Sequence, residues 1–227
     1  MHLQKESRRE GFPLIDESTG RARDPRASLM PTPKTYALPG GGTTIAPNIL
    51  ARENQDLKLR RLTPFPGSAY VPTGNPMVDG VGPGAYAQRA DVPDRMQSGK
   101  PRIVPTRADH NYHVSDNDAN PIGMSVFGDD GVKVGTVKDV WVDRAEAVLR
   151  YLEVDLGTRS ALAPMNFVEI DGGRRRITVN AILAKHFADV PATKHPEQVT
   201  LLEEDKITAY FGGGLLYATP ARSEPLI

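Results

Sequence analysis

Val132-Lys133-Val134-Gly135-Thr136-Val137-Lys138-Asp139-Val140-Trp141-Val142-Asp143 is the stretch whose reading decides the fold. Val132, Val134 and Val137 mark an apolar strand, continued by Val140 or Trp141, and Gly135 interrupts the alternation. A glycine inside a strand marks a bulge or a sharp barrel corner, because it has no side chain to obstruct a neighbouring backbone. Residues 147–156, AVLRYLEVDL, give a second strand. Leu149, Tyr151, Glu153 and Asp155 fall on one face of it, and Val148, Arg150, Leu152 and Val154 on the other. Residues 159–164 and 167–170 read as short strands, Asp171-Gly172-Gly173 as a turn, and Arg176-Ile177-Thr178-Val179 as another strand.

Outward from this block, Phe127-Gly128-Asp129-Asp130-Gly131 is turn chemistry between apolar stretches, a hairpin signal. Arg102-Ile103-Val104-Pro105 is a further short strand. Five or six short antiparallel strands with glycine corners predict a small, partly closed β-barrel over residues 100–195. Downstream, Thr200-Leu201-Leu202-Glu203 fits a capping box, with a hydroxyl at the N-cap and a carboxylate three residues on. Glu203, Glu204 and Asp205 fall in the first turn, where the helix dipole favours negative charge. A helix over residues 201–211 follows, which Gly212-Gly213-Gly214 is expected to end or distort. Residues 181–187 are expected to form a shorter helix. The C-terminal helix and its tail occupy residues 196–227.

Residues 1–99 have a different texture and hold most of the prolines, among them Pro31, Pro33, Pro64, Pro66, Pro76 and Pro83. Thr35-Tyr36-Ala37-Leu38 and Thr43-Thr44-Ile45-Ala46 flank Pro39-Gly40-Gly41-Gly42 and read as a loose hairpin. A helix of ordinary length fits only around residues 54–61. A disordered tail is the competing reading of this composition. Against it stand Phe12, Leu14, Tyr36, Leu38, Phe65, Tyr70 and Tyr86, which predict an extended arm packed on something larger. The fold class is therefore mainly β with small α content: an extended Pro/Gly-rich arm, an antiparallel β-barrel and a C-terminal helix.

Composition narrows the function classes. The 227 residues contain 21 glycines and 20 prolines, nearly a fifth of the chain against roughly 12% in an average protein. Such a chain is not mostly helix. With no cysteine, it has no disulfide scaffold, thiolate metal site or cysteine nucleophile. The 28 basic and 28 acidic side chains cancel, which argues against a general nucleic-acid binder. No apolar run approaches the 18 or so residues of a spanning helix.

Familiar site motifs fail. Gly80-Val81-Gly82-Pro83-Gly84 superficially resembles a phosphate loop, but it lacks the preceding strand and following helix, and Pro83 removes an amide donor. His110 and His113 are three apart but without a helix to give them a shared face, so no metal site is assigned. Ser115-Asp116-Asn117-Asp118 lacks the glycine and bidentate glutamate of a calcium loop. No serine, histidine and acid combination supports a triad.

One constellation remains. Asp143, Glu146 and Arg150 lie within eight residues, around the turn joining two apolar strands. Two carboxylates near one arginine have pKa values pushed in opposite directions by mutual repulsion and by the cation. Such a cluster can hold and pass protons. A turn decorated with a surface ion pair explains the same spacing.

A family resemblance bears on that choice. Arg9-Glu10-Gly11-Phe12-Pro13-Leu14, Pro33-Lys34-Thr35-Tyr36, Pro72-Thr73-Gly74-Asn75-Pro76-Met77 and Asp79-Gly80-Val81-Gly82-Pro83 resemble the cytoplasmic part of the H subunit of purple-bacterial photosynthetic reaction centres. Residues 135–143 with Arg150-Tyr151-Leu152-Glu153-Val154 look like that subunit's PRC-barrel. Residues 200–206, TLLEEDK, and Gly213-Gly214-Leu215-Leu216-Tyr217-Ala218 look like its C-terminal helix region. The resemblance implies a non-catalytic subunit capping the cytoplasmic face of the L and M subunits. It would support assembly, shield the secondary quinone and conduct protons to it. Bacteriochlorophyll, bacteriopheophytin, quinone and non-haem iron would belong to the partner subunits, none to this chain alone. A cytochrome subunit and light-harvesting antenna are further expected neighbours, and nucleic acid is not. By the same resemblance, Asp143 and Glu146 are proton-transfer groups, and Arg150 tunes them through its fixed charge.

The sequence also departs from the family. Some members carry a histidine pair at the proton entry. Asp94-Arg95-Met96-Gln97-Ser98-Gly99 has none, and Asp94 is the substitute candidate. The family's single transmembrane helix precedes the Arg9–Leu14 motif, and this chain starts about where that helix should end. The expectation is a protein on the cytoplasmic face of the photosynthetic membrane without that helix. The rival reading is a soluble PRC-barrel adaptor that binds a ribosomal protein or RNA. A small hydrolase is the third class, and no motif supports it.

Overall fold

The computed structural model describes residues 32–39, 41–47, 57–65 and 67–223. The chain divides into two compact units, Met1–Val71 and Pro72–Ile227.

In the first unit, β1 (Lys34–Ala37) and β2 (Thr43–Ala46) pair antiparallel, with Lys34 opposite Ala46 and Ala37 opposite Thr43. Gly41 and Gly42 take φ values of 90° and 85° in the link, where a Cβ would be strained. This is the hairpin that the sequence predicts. β3 (Leu59–Arg61) pairs with β4 (Tyr70–Pro72). Residues 59–61 are thus extended rather than the end of a helix, and Asn54 lies outside the described residues. The cause is local: Pro64 fixes its own φ and has no N–H to donate. Thr63 N–H donates instead to Ser68 Oγ, and Leu62 N–H to the Ala69 carbonyl, which closes a turn. Tyr36, Leu38 and Tyr70 are exposed, and Phe65 is 70% exposed. Phe12, Leu14 and the Arg9–Leu14 motif lie outside the described residues.

The second unit opens with a short α1 (Pro76–Asp79). Asn75 caps it by accepting from Met77 N–H, and Gly80 ends it at φ 66°. Gly82–Gly84 forms a 3-10 turn, so the glycine-rich stretch here is turn structure. The strands are β5 (Ile103–Pro105), β6 (Ser125–Gly128), β7 (Lys133–Asp143), β8 (Val148–Asp155), β9 (Ser160–Pro164), β10 (Val168–Asp171) and β11 (Arg176–Val179). They form one sheet in the order β10-β11-β6-β7-β8-β9, with β5 also on β7. All its pairs are antiparallel except β11 with β6. The core gathers Val126, Val140, Trp141, Leu152, Val154, Ile177, Val179, Phe187, Ile207 and Phe211. Each large apolar side chain so buried stabilises the fold by about 1.5–3 kcal/mol.

Two irregularities between β7 and β8 position the functional side chains. Val137 pairs with Val154 and Asp139 with Glu153, which leaves Lys138 as an extra residue on β7. Trp141 pairs with Tyr151 and Val142 with Leu149, which leaves Arg150 as an extra residue on β8. A bulge re-aims its side chain and breaks the period-two alternation. Tyr151, Leu152, Glu153 and Val154 keep a regular register with β9 and are all buried, so both faces of β8 are covered along this run. At Gly135 a Cβ would run into the Asp155 carbonyl, so the glycine here permits a close approach of β8.

The C-terminal helix α2 (Leu201–Tyr217) starts at the expected capping box. Thr200 Oγ1 accepts from Glu203 N–H at 3.1 Å, and Glu203 Oε2 accepts from Thr200 N–H at 2.8 Å. The helix does not end at Gly212-Gly213-Gly214 but runs through it. Packing is the reason. A Cβ on Gly213 would lie 3.1 Å from Gly84 Cα, and one on Gly214 would collide with Ala181 and Ile182. The glycines let other chain segments touch the helix backbone. The shorter helix expected at 181–187 is a 3-10 helix, Ala184–Asp189.

Candidate functional site

The turn after β7 is built by Asp143 itself. Its Oδ1 accepts from the backbone N–H groups of Ala145 at 3.0 Å and Glu146 at 3.3 Å. An aspartate that bonds the backbone two and three residues on favours a turn, and here that turn carries Glu146 back toward Asp143. The Asp143 side chain is fully buried. Arg150, re-aimed by its bulge, brings Nε to 3.5 Å from Asp143 Oδ2. The structure thus brings Asp143, Glu146 and Arg150 together at one end of the β7–β8 ribbon.

The centre of the cluster is a residue the sequence reading missed, Arg102. β5 pairs with β7 so that Ile103 faces Asp143, which sets Arg102 beside the turn. Arg102 Nε donates to Asp143 Oδ1 at 2.9 Å, and Nη2 lies 2.8 Å from Oδ2. The same Nη2 donates to Glu146 Oε1 at 2.5 Å, and Nη1 to Asp94 Oδ2 at 3.4 Å. One guanidinium therefore touches three carboxylates. Arg102 opens a short strand 41 residues before Asp143, a separation no local pattern bridges.

The electrostatics follow from burial and this pairing. Burial alone would raise the Asp143 carboxyl. Hydrogen bonds from Arg102 and from the Ala145 and Glu146 N–H groups outweigh it and hold the group below the usual carboxylate range. The hydrogen bond to Asp143, with Glu146 adding to it, raises the Arg102 guanidinium further above its already high value. Asp143 is thus a fixed anion at neutral pH. Glu146, whose side chain is 53% exposed, is the carboxylate of the cluster most open to water, ahead of Asp94 at 42%.

A second charged network lies deeper in the same ribbon. Asp139 and Glu153 are each 4% exposed and directly opposite in register. Like charges so placed repel, and Arg107 answers the repulsion. Its Nη1 donates to Asp139 Oδ2 at 3.0 Å and to Glu153 Oε2 at 2.6 Å. The bulge residue Lys138 reaches Glu153 Oε1 at 2.9 Å, and Trp141 Nε1 donates to Oε2 at 3.0 Å. Burial raises the Glu153 carboxyl, but Arg107, Lys138 and Trp141 together bring it below its ordinary value. Both oxygens of each carboxylate are engaged, Asp139 by Thr106 and Arg107 and Glu153 by Arg107, Trp141 and Lys138, so the network holds β7, β8 and the 106–107 segment in register. The available signal was a carboxylate inside each of two apolar strands.

A cavity of about 540 Å³ lies beside the turn, lined among others by Tyr112, His113, Val142, Ala147 and Leu149. Among the described residues, no group of three His, Asp or Glu is placed to hold a metal ion.

Comparison with known proteins identifies the architecture. The family described as photosynthetic reaction centre, H-chain N-terminal region, matches residues 1–108. The PRC-barrel domain family matches residues 114–185, which include the whole Asp143–Arg150 turn. The chain belongs to the reaction-centre H-chain family. H chains are structural subunits of a membrane-associated reaction-centre complex. Among the described residues of this H chain, no helix is long and apolar enough to cross a membrane. An uncharacterized protein of Deinococcus radiodurans is 31% identical over 75 residues, 31% of this chain and 27% of its own length. The match thus spans little more than a quarter of that relative.

Proposed function

We propose that this H chain caps the cytoplasmic side of the L and M subunits, supports their assembly, shields the secondary quinone and conducts protons to it. The protein takes no catalytic role of its own. Residues 1–99 serve as the arm laid on the partners, 100–195 as the barrel carrying the proton route, and 196–227 as the helix and tail that brace it. Exposed Tyr36, Leu38, Phe65 and Tyr70 support a surface that a partner covers.

The observation that carries the reading is the carboxylate cluster gathered on Arg102. Glu146 exchanges protons with water. Buried Asp143 supplies a standing negative charge that attracts the proton inward. Arg150, at the edge of the pair, sets how strongly the proton is held. The match of the H-chain N-terminal family to residues 1–108 weighs against the rival, a soluble adaptor for a ribosomal protein or RNA. Bacteriochlorophyll, bacteriopheophytin, quinone and non-haem iron sit in the partner subunits, with a cytochrome subunit and antenna as further neighbours.

Glu146→Gln tests the route. It is isosteric, sits at a half-exposed position and leaves the turn's backbone bonds intact. The assembled complex should form normally, with the second flash-induced proton uptake slowed by up to about a hundredfold, the lower end of what a positioned proton-transfer group supplies. Unchanged uptake kinetics would remove Glu146 from the route.

A further inference from the structure

Phe65 is 70% exposed, more than any other large apolar side chain among the described residues. It stands at the tip of the turn that joins β3 to β4, and hydrogen bonds fix the backbone there. Ser68 N–H and Arg61 Nη2 both donate to the Phe65 carbonyl at 3.1 Å. Thr63 N–H donates to Ser68 Oγ at 2.7 Å, and Ser68 Oγ donates to the Ala69 carbonyl at 3.2 Å. A ring held out by a closed turn is already ordered, so covering it costs little further ordering. Leu57, Leu62 and Tyr70, in the same compact unit, are also exposed. The charges among them are of one sign. Residues 57–71 contain Lys58, Arg60 and Arg61 and no aspartate or glutamate, in a chain whose charges cancel overall. Arg60 lies on the exposed part of β3.

We propose that the β3–β4 tip is a membrane-surface anchor for anionic phospholipid. Phe65 enters the boundary between headgroups and acyl chains, while the charges of Lys58, Arg60 and Arg61 attract the lipid phosphates. The inference rests on the reading of residues 1–99 as a covered arm, and it assigns lipid to this part of the covering. An aromatic side chain with aliphatic neighbours and a cationic collar is the composition that binds at a bilayer interface, through apolar burial and attraction to anionic headgroups together. A protein face would have to match the collar with carboxylates at fixed positions. An anionic leaflet offers its negative charge in any register. The H-chain family is membrane-associated, so such a leaflet is within reach of the complex. Each cation close to the leaflet strengthens binding roughly fivefold, and salt screens that attraction.

The test is sedimentation of the full chain with vesicles of phosphatidylcholine alone and of phosphatidylcholine mixed with phosphatidylglycerol. The parent should bind the mixed vesicles, bind the neutral ones more weakly, and lose affinity as salt rises. Phe65→Ser should weaken binding to the mixed vesicles about tenfold, the lower end for burying a phenylalanine side chain. Arg60→Ser should weaken it about fivefold. Phe65→Trp locates the contact, because Trp141, the one native tryptophan, is buried. Its emission should shift to the blue on mixed vesicles and be quenched by brominated lipid. A parent that ignores the mixed vesicles, or one whose binding survives both Phe65→Ser and Arg60→Ser, overturns the proposal. Recovery of the L and M subunits with Phe65→Ser then separates the two readings. If they are lost while vesicle binding is unchanged, the tip is a protein contact: the covered arm stands and the lipid assignment falls. If neither changes, both fall at this tip.

Discussion

Replacing Arg102 with leucine lowers the unfolding free energy at neutral pH by about 3–5 kcal/mol, read by urea denaturation of the full chain. That is the scale of removing one partner from a buried ion pair. Asp143 is fully buried and would be left with two backbone N–H donors and the more distant Arg150. The pH dependence separates this cause from lost packing. In the parent the Asp143 carboxyl lies below its ordinary value. Its contribution is therefore present above the unfolded carboxylate pKa of about 3.9 and fades as pH falls through the folded one. Without Arg102, burial becomes the dominant influence and lifts the folded pKa above the unfolded one. The sign then reverses: stability of the variant grows as pH falls toward that pKa, so the deficit narrows on acidification. Asp143→Asn in the same background should recover most of the loss. A deficit that stays constant with pH would point to packing instead of charge.

Gly214→Val costs about 3 kcal/mol, whereas Gly212→Ala stays within about 0.5 kcal/mol of the parent. Helix propensity alone predicts a gain at both positions, since replacing an interior glycine by alanine gains up to about 1 kcal/mol. At Gly214 the new side chain meets the Ala181 carbonyl and Ile182, and Arg222 Nη1 already fills the space by donating to both the Gly214 and Ala181 carbonyls. Backbone cannot swing aside as a rotamer can, so overpacking wins. At Gly212 only the Pro83 carbonyl comes near, at 3.3 Å, and the small gain in propensity offsets the contact. Thermal melts of the two variants should separate clearly, and equal effects would contradict the packing account of the glycine run.

The same contrast explains what could be read from the chain and what could not. Features set by neighbours in sequence were readable. The Thr200–Glu203 box, the glycine-linked hairpin of β1 and β2, and the Asp143 turn each depend on residues a few positions apart. Features set by pairing across the sheet were not. The bulge that releases Arg150 exists because Trp141 meets Tyr151 while Val142 meets Leu149, a register fixed by the whole ribbon. Arg102 enters the site because β5 lies on β7, so it belongs to no local motif. Gly212-Gly213-Gly214 read as a helix end because glycine has two uses, breaking a helix and allowing close contact, and only the tertiary neighbours decide between them.

Purification of the full chain from its source membranes, with near-infrared absorption recorded on the product, tests the central claim most directly. A reaction-centre H chain should travel with the L and M subunits and carry their bacteriochlorophyll bands at fixed stoichiometry. A colourless preparation that travels instead with ribosomal particles would contradict the account.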